Sequence, residues 1–305
     1  VNVQRTKPNE WFTFEIIARG KHFQTFVNGE KAVDWVDPSP TNVTVGGLRL
    51  YLLHKDAELR IKKMEIKELD PTDTPFVVQG KARKPQSFAT LALAVEAAQS
   101  GDAIEITGNG PFDVPPLFIK KKALRIRAAP DAKPVLRLHE PAGAKPVDSL
   151  FRSDAPLILE GIEFQREGID DVASSACLVA ALDAATMTHC RFVSPKGGMS
   201  VMLLGGVNRI QACEFFRGQG TSVSWTLPAR GRLDIEGSIL SHAGLTLEYR
   251  KASKVDVDVR LRQCTFVGTT PVTLRLWGSW PPQSKIRMDA SECVFGGFLS
   301  MLVLD

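Results

Sequence analysis

Apolar residues alternate with polar ones along much of the chain, and the alternation has period two. Phe12, Phe14, Ile16 and Ala18 fall on one side of a strand whose other side carries Thr13, Glu15 and Ile17. His22 to Val27 reads as a second strand and Glu30 to Trp35 as a third. Asn28-Gly29 between them is a two-residue hairpin signal, because both turn positions need positive φ. Leu48 to Leu53 and Leu59 to Leu69 read as two more strands, with a bulge at Lys62-Lys63 restoring register in the last. These strands predict part of a β-sandwich, too few to close a core alone. Asp70 to Gln86 is polar and proline-punctuated and reads as a linker. One helical stretch follows. Phe88, Leu91, Val95 and Ala98 share a face, Ser87 is the expected N-cap and Gly101 the expected stop.

Beyond residue 123 short alternating runs recur, such as Leu124 to Ala128, Val255 to Leu261 and Val272 to Leu276. They are linked by a returning phrase: Gly161-Ile162-Glu163-Phe164, Cys190-Arg191-Phe192, Cys213-Glu214-Phe215, Gly237-Ser238-Ile239-Leu240, Cys264-Thr265-Phe266 and Cys293-Val294-Phe295. Counted on its Cys or Gly, the phrase steps along positions 161, 190, 213, 237, 264 and 293. A small residue before a large apolar one, repeated every ~20–30 residues, predicts a solenoid whose units must stack to bury their apolar faces.

Composition narrows this picture without redirecting it. The 305 residues are 44% hydrophobic and 24% charged, with a net charge of +4. Such a balance excludes a nucleic-acid footprint, and no apolar run reaches the ~20 residues of a membrane helix. The chain opens Val1-Asn2-Val3-Gln4 without a targeting segment and reads as a piece of something longer. Four of the five cysteines (Cys190, Cys213, Cys264, Cys293) share one repeat position, so they are expected to stack as buried free thiols; no metal site is expected.

Two resemblances follow from these residues. The opening Ser87-Phe88-Ala89-Thr90-Leu91 with Ala94-Val95-Glu96-Ala97-Ala98, and the repeated phrase after it, resemble the pectate-lyase-like, right-handed parallel β-helix superfamily and its N-terminal capping helix. That scaffold hosts lyases, hydrolases and inert adhesins, so the resemblance implies a fold more than a reaction. Glu10-Trp11-Phe12-Thr13-Phe14-Glu15-Ile16, Val27-Asn28-Gly29-Glu30, Asp37-Pro38 and Ile61-Lys62-Lys63-Met64-Glu65-Ile66 resemble the C-terminal end of the 3-keto-disaccharide hydrolase family. That family implies a concanavalin-like jelly roll acting on oxidised glycosides, of which only the last part is present.

Candidate chemistry is sparse. Trp277 and Trp280 flank a turn stiffened by Pro281 and Pro282 and could stack on sugar rings, with Trp225 and Tyr249 joining from neighbouring coils. Arg250 and Lys251 form a basic turn suited to the carboxylates of an acidic polysaccharide. Asp170-Asp171 is the best acidic pair, yet its companion motifs for sugar hydrolysis are missing. Asp256, Asp258, Arg260 and Arg262 share a strand face and predict a salt-bridged exterior. No phosphate loop or nucleophile elbow is present, no cofactor is implied, and no catalytic residue is assigned.

The expectation is an all-β chain: a truncated jelly roll over residues 1–69, a linker over 70–86, and a right-handed parallel β-helix over 87–305 whose C-terminal end is left open as a cut. The leading functional reading is a carbohydrate-directed, exported or cell-surface, monomeric bacterial protein whose intact parent is glycoside hydrolase-like while this stretch is catalytically incomplete. The rival reading is a non-catalytic surface scaffold or interaction module of a larger protein, one that could also carry a signalling kinase. Converging carboxylates in a groove would favour the enzyme; dispersed, paired charges would favour the scaffold.

Overall fold

In the computed structural model the described residues are 10–19, 22–36, 60–66, 74–81, 83–139, 149–167, 177–194, 199–217, 220–250, 254–277, 279–296 and 302–304. The chain divides into two compact units, Val1–Thr74 and Pro75–Asp305.

The first unit contains a three-stranded antiparallel sheet of β1 (Phe14–Arg19), β2 (His22–Val27) and β3 (Glu30–Val36). The hairpin at Asn28-Gly29 forms as the sequence predicts, with φ of 51° and 83°. The side chain of Asn28 accepts the Thr13 N–H at 2.9 Å and its own N–H donates back to Thr13 O at 2.9 Å. Pairing of Phe14 with Val27, Ile16 with Thr25, Phe23 with Trp35 and Thr25 with Val33 puts these side chains on one face. That face is open to water: Phe14 is 49% exposed and Trp35 50%. Residues 60–66 carry no strand, unlike the bulged strand expected there, and Ile61, Met64 and Ile66 are exposed. The strand expected at Leu48 to Leu53 lies outside the described residues.

The second unit opens inside the stretch read as linker. β4 (Phe76–Gln79) pairs antiparallel with β5 (Gln86–Phe88) and with β6 (Ala103–Ile106). Apolar Phe76 and Val78 are buried in the core, which outweighs the polar residues around them. Because Ser87 and Phe88 are used in β5, helix α1 (Leu91–Ala97) starts later than expected. Its N-cap is Thr90, whose side chain accepts the Leu93 N–H at 3.3 Å. The helix buries Leu91, Ala94 and Val95.

After α1 the strands stack in parallel as a β-solenoid of about six turns. Sheet one runs from β6 through Leu124–Ala128, Leu157–Glu160, Ala185–Thr188, Val207–Gln211, Arg230–Glu236 and Asp256–Arg262 to Lys285–Ser291. Sheet two follows the turn and includes Glu163–Glu167, Arg191–Ser194 and Glu214–Arg217. Sheet three includes Ser149–Ser153, Cys177–Ala181, Met199–Leu203 and Thr221–Thr226. The long strands Ile239–Tyr249 and Thr265–Leu276 run through both, so sheets two and three join in the last coils.

Strand register fixes the true repeat. From Leu157–Glu160 onward, the turn between sheets one and two holds one residue at positive φ in each coil: Gly161, His189, Ala212, Gly237, Gln263 and Glu292. Its N–H donates to a carbonyl of the next coil, as from His189 to Gln211 O at 3.0 Å and from Ala212 to Glu236 O at 2.9 Å. The next residue points inward: Ile162, Cys190, Cys213, Ser238, Cys264 and Cys293 form one column. The glycines of the repeated phrase therefore align with His189 and Ala212, one place before the cysteines. Next comes the aromatic column: Phe164, Phe192 and Phe215 stack at 5.3 and 4.9 Å with rings 6° and 9° from parallel. Leu240 interrupts it, and Phe266 and Phe295 resume it at 5.1 Å.

Candidate functional site

All five cysteines are free thiols. Cys190, Cys213 and Cys264 are buried as expected, whereas Cys293 in the last coil is half-buried. Each ladder thiol turns to the carbonyl two residues back, as Cys190 does to Thr188 O at 3.4 Å and Cys264 to Arg262 O at 3.2 Å. Ser238 fills the same slot and donates to Glu236 O at 2.9 Å. Burial pushes the Cys264 thiol up to about 11 and Cys190 well above its ordinary value. These groups are core, and Cys177 packs separately with Ala180 and Met199. Among the described residues no group of three or more His, Cys, Asp and Glu is placed to hold a metal ion.

Several carboxylates on the outer faces are matched with arginines from neighbouring coils. Arg287 donates to Asp256 at 2.7 Å and Asp258 at 2.6 Å, and its guanidinium holds the Asp258 carboxyl below the usual range. The exterior is thus salt-bridged, although the partner is Arg287 rather than Arg260 or Arg262 of the same strand. Arg191 lies within 3.1 Å of Glu163 and 3.2 Å of Glu214, over the Phe216 ring.

The aromatic candidates separate by burial. Trp225 is fully buried, and its indole N–H donates to Gly205 O at 3.0 Å. Tyr249 is buried too, with Trp280 packed edge-on against it at 5.3 Å. Trp225 and Tyr249 therefore offer no face to a ligand; both point inward along sheet three, where burying a large ring is favoured over wetting it. Trp280 is half-buried against the core. Trp277 differs: it is 61% exposed. Lys251, Asp170 and Asp171 lie outside the described residues.

Trp277 has company that its position in the chain conceals. Its N–H donates to Tyr249 O at 2.9 Å, one step past the Tyr249–Leu276 pair, which sets it beside Arg250 in the adjacent coil. Glu248 and Arg275 are paired on the same outer face two residues earlier. The Glu248 side chain is only 4% exposed and accepts from Ser224 Oγ at 3.1 Å and from Arg250 Nε at 2.8 Å. A second Arg250 nitrogen lies 2.6 Å from the same carboxylate, and Arg275 lies 3.9 Å away. Glu248 thus clamps the guanidinium of Arg250 with two contacts while leaving that side chain 55% exposed. The result is a fixed cation next to an exposed indole at the edge of sheet three. The sequence groups Arg250 with Trp277 as one candidate sugar site but does not single out Glu248, Arg275 or Ser224. Their signal was the i, i+2 spacing of Glu248 with Arg250 and of Arg275 with Trp277, which puts each pair on one strand face.

Residues 1–67 match the family model of the 3-keto-alpha-glucoside-1,2-lyase-like domain. That match points to a carbohydrate-related protein. No curated protein and no solved structure matches the chain. Among the described residues no helix is long and apolar enough to cross a membrane.

Proposed function

We propose that this is an exported or cell-surface carbohydrate-directed protein that holds an acidic glycan at the outer edge of sheet three. The observation that carries the reading is the juxtaposition of exposed Trp277 with Arg250 clamped by buried Glu248. An indole face suits the apolar face of a pyranose, and a guanidinium suits a uronate carboxylate. Fixing Arg250 in advance lowers the entropy lost on binding. The match at residues 1–67 supports the sugar class. We read that stretch as the C-terminal part of its domain, whose missing strands would cover Phe14, Ile16, Val33 and Trp35. The solenoid we place with the pectate-lyase-like β-helices, as a binding rather than a catalytic element.

Titration calorimetry with uronate-containing and neutral oligosaccharides tests the site. Binding of the acidic set should fall at least tenfold in Trp277→Ala and in Arg250→Ala. Equal binding of neutral and acidic sugars, or binding indifferent to both substitutions, removes this edge as the site. The scaffold reading is also favoured by one observation: Glu163, Glu214, Asp256 and Asp258 are each engaged by arginine instead of converging on an open groove.

A further inference from the structure

Sheet three carries a second pairing of ring and cation on its outer face, away from Trp277. The strand Leu117–Ile119 pairs with Ser149–Ser153 and sets Phe118 opposite Arg152. Ile119, Phe151 and Ser153 are fully buried, so their neighbours Phe118 and Arg152 point out. Phe118 is 39% exposed. Two cations lie over its ring: Lys120 Nζ and Arg152 Cζ are each 5.1 Å from the centroid, within cation–π range.

Neither cation has met an anion. Arg127, Arg191, Arg250 and Arg287 each reach a carboxylate. Among the described residues Arg152 and Lys120 form no ion pair, and both make their contact with the Phe118 ring instead. The Nε of Arg152 is buried and has no acceptor. A desolvated donor without an acceptor is costly, and an arriving anion relieves that cost. Asp154 follows Ser153 opposite Lys120, yet its carboxylate accepts the Lys121 N–H at 2.5 Å. We propose that Arg152 and Lys120, held on Phe118, form a second anion site, which takes a carboxylate or sulfate group of the same acidic glycan; this rests on the function proposed above. With two cations over it, the Phe118 ring supports charge instead of stacking on sugar. The site therefore reads the anion, while Trp277 reads the pyranose.

Register gives the span between the two sites. Arg152 aligns through Ala180, Met202 and Ser224 with Thr246, four residues before Arg250. Four strand spacings of about 4.8 Å and four residues of about 3.3 Å set Arg152 and Arg250 about 23 Å apart. A polymer that spans this distance engages both sites and gains from the high effective concentration of its second anion; a disaccharide engages one at a time.

Calorimetry of the 305-residue chain with polygalacturonate, dextran sulfate and neutral dextran tests this, each variant first matched to the native far-ultraviolet circular dichroism spectrum. Lys120→Ala with Arg152→Ala should lower affinity for an acidic polymer at least tenfold and leave digalacturonate binding at Trp277 intact. Phe118→Ala keeps both cations but frees them, and should reproduce a good part of that loss. Loss confined to polygalacturonate assigns the site to carboxylates, and loss confined to dextran sulfate assigns it to sulfates. Polymer binding that falls in Trp277→Ala but not in the Lys120 and Arg152 variant overturns the second site and leaves the first. The converse result keeps this anion site and removes the Trp277 edge. An equal loss from Arg260→Ala with Arg262→Ala, on the outer face of sheet one, would overturn the proposal by assigning the effect to net charge.

Discussion

The turn between sheets one and two makes a paired prediction, because the same left-handed slot is filled by Ala212 in one coil and Gly237 in the next. Their φ values are 51° and 56°, and each N–H donates at 2.9 Å to a carbonyl of the following coil. An L-residue with a Cβ carries about 1–2 kcal/mol in this region, and glycine loses roughly 0.5–1 kcal/mol more entropy on folding. The net gain from a glycine in the slot is therefore about 1 kcal/mol. A Cβ added at Gly237 would come no closer than 4.0 Å to its surroundings, so the substitution reports backbone cost alone. Gly237→Ala should destabilise by about 1 kcal/mol and Ala212→Gly should stabilise by a similar amount. Ala212→Val, β-branched and poorly tolerated at positive φ, should cost roughly 2 kcal/mol. Urea titration followed by far-ultraviolet circular dichroism measures all three as midpoint shifts at constant slope. The register argued above puts positions 212 and 237 in one structural slot. Shifts of the same sign for Gly237→Ala and Ala212→Gly would refute it.

Three further outcomes follow from the packing. Phe192→Ala removes a fully buried ring stacked on both sides and should cost about 3–5 kcal/mol in the same titration, and Phe215→Leu, which copies Leu240 of the next coil, about 1–2 kcal/mol. Gly244→Ala would place a Cβ 2.6 Å from a Phe266 ring carbon and 2.8 Å from Pro271 O, so overpacking there should cost about 1–3 kcal/mol. Cys264, raised to about 11 in the fold, holds its proton more tightly there than in the unfolded chain; that stability is complete below the unfolded value near ~8.5 and is lost as pH climbs through about 11. Melting temperatures measured across that window should accordingly fall more steeply for the native chain than for Cys264→Ser, whose hydroxyl can occupy the slot as Ser238 does.

The solenoid was legible because its signal is local and repeated. Most coils spend an inward small residue and an inward Phe at the same turn, Ile162 and Leu240 being the exceptions, so the phrase ending at Phe164, Phe192, Phe215, Phe266 and Phe295 survives loops of unequal length. The register was harder to read because glycine and cysteine are both small but serve different needs. Gly161 and Gly237 answer a positive φ, whereas Cys190 and Cys213 answer a narrow inward volume. His189, Ala212, Gln263 and Glu292 adopt the strained angle without the residue type that advertises it. The start of the second unit was obscured for a comparable reason. Thr72 to Pro75 and Lys81 to Pro85 surround four strand residues with linker-like composition, and only antiparallel pairing with β6 makes Phe76–Gln79 a strand.

The candidate site was half legible, and the missing half has a physical cause. A ligand-facing cluster on a solenoid is assembled across coils, so its members stand a full coil apart in sequence and their proximity depends on register alone. Trp277 announces itself as a tryptophan beside prolines, and Arg250 as a cation in a turn. Glu248 looks like any outward acid of an alternating strand, yet here it is nearly inaccessible and holds Arg250 through two contacts. The pair is buried on the Glu248 side only, with Arg250 half in water, so what the carboxylate's loss removes is the set of charge-assisted hydrogen bonds it accepts from Arg250 and Ser224. Glu248→Gln should therefore weaken folding by about 1–3 kcal/mol, and it should weaken acidic-sugar binding as well by freeing the Arg250 guanidinium to rotate. Glu248→Asp, which keeps the charge but shortens the reach, should recover part of the stability and little of the binding. If Glu248→Gln bound uronate as tightly as the native chain, the clamp would be a structural feature only. Trp277 would then have to hold its ligand without a prearranged cation.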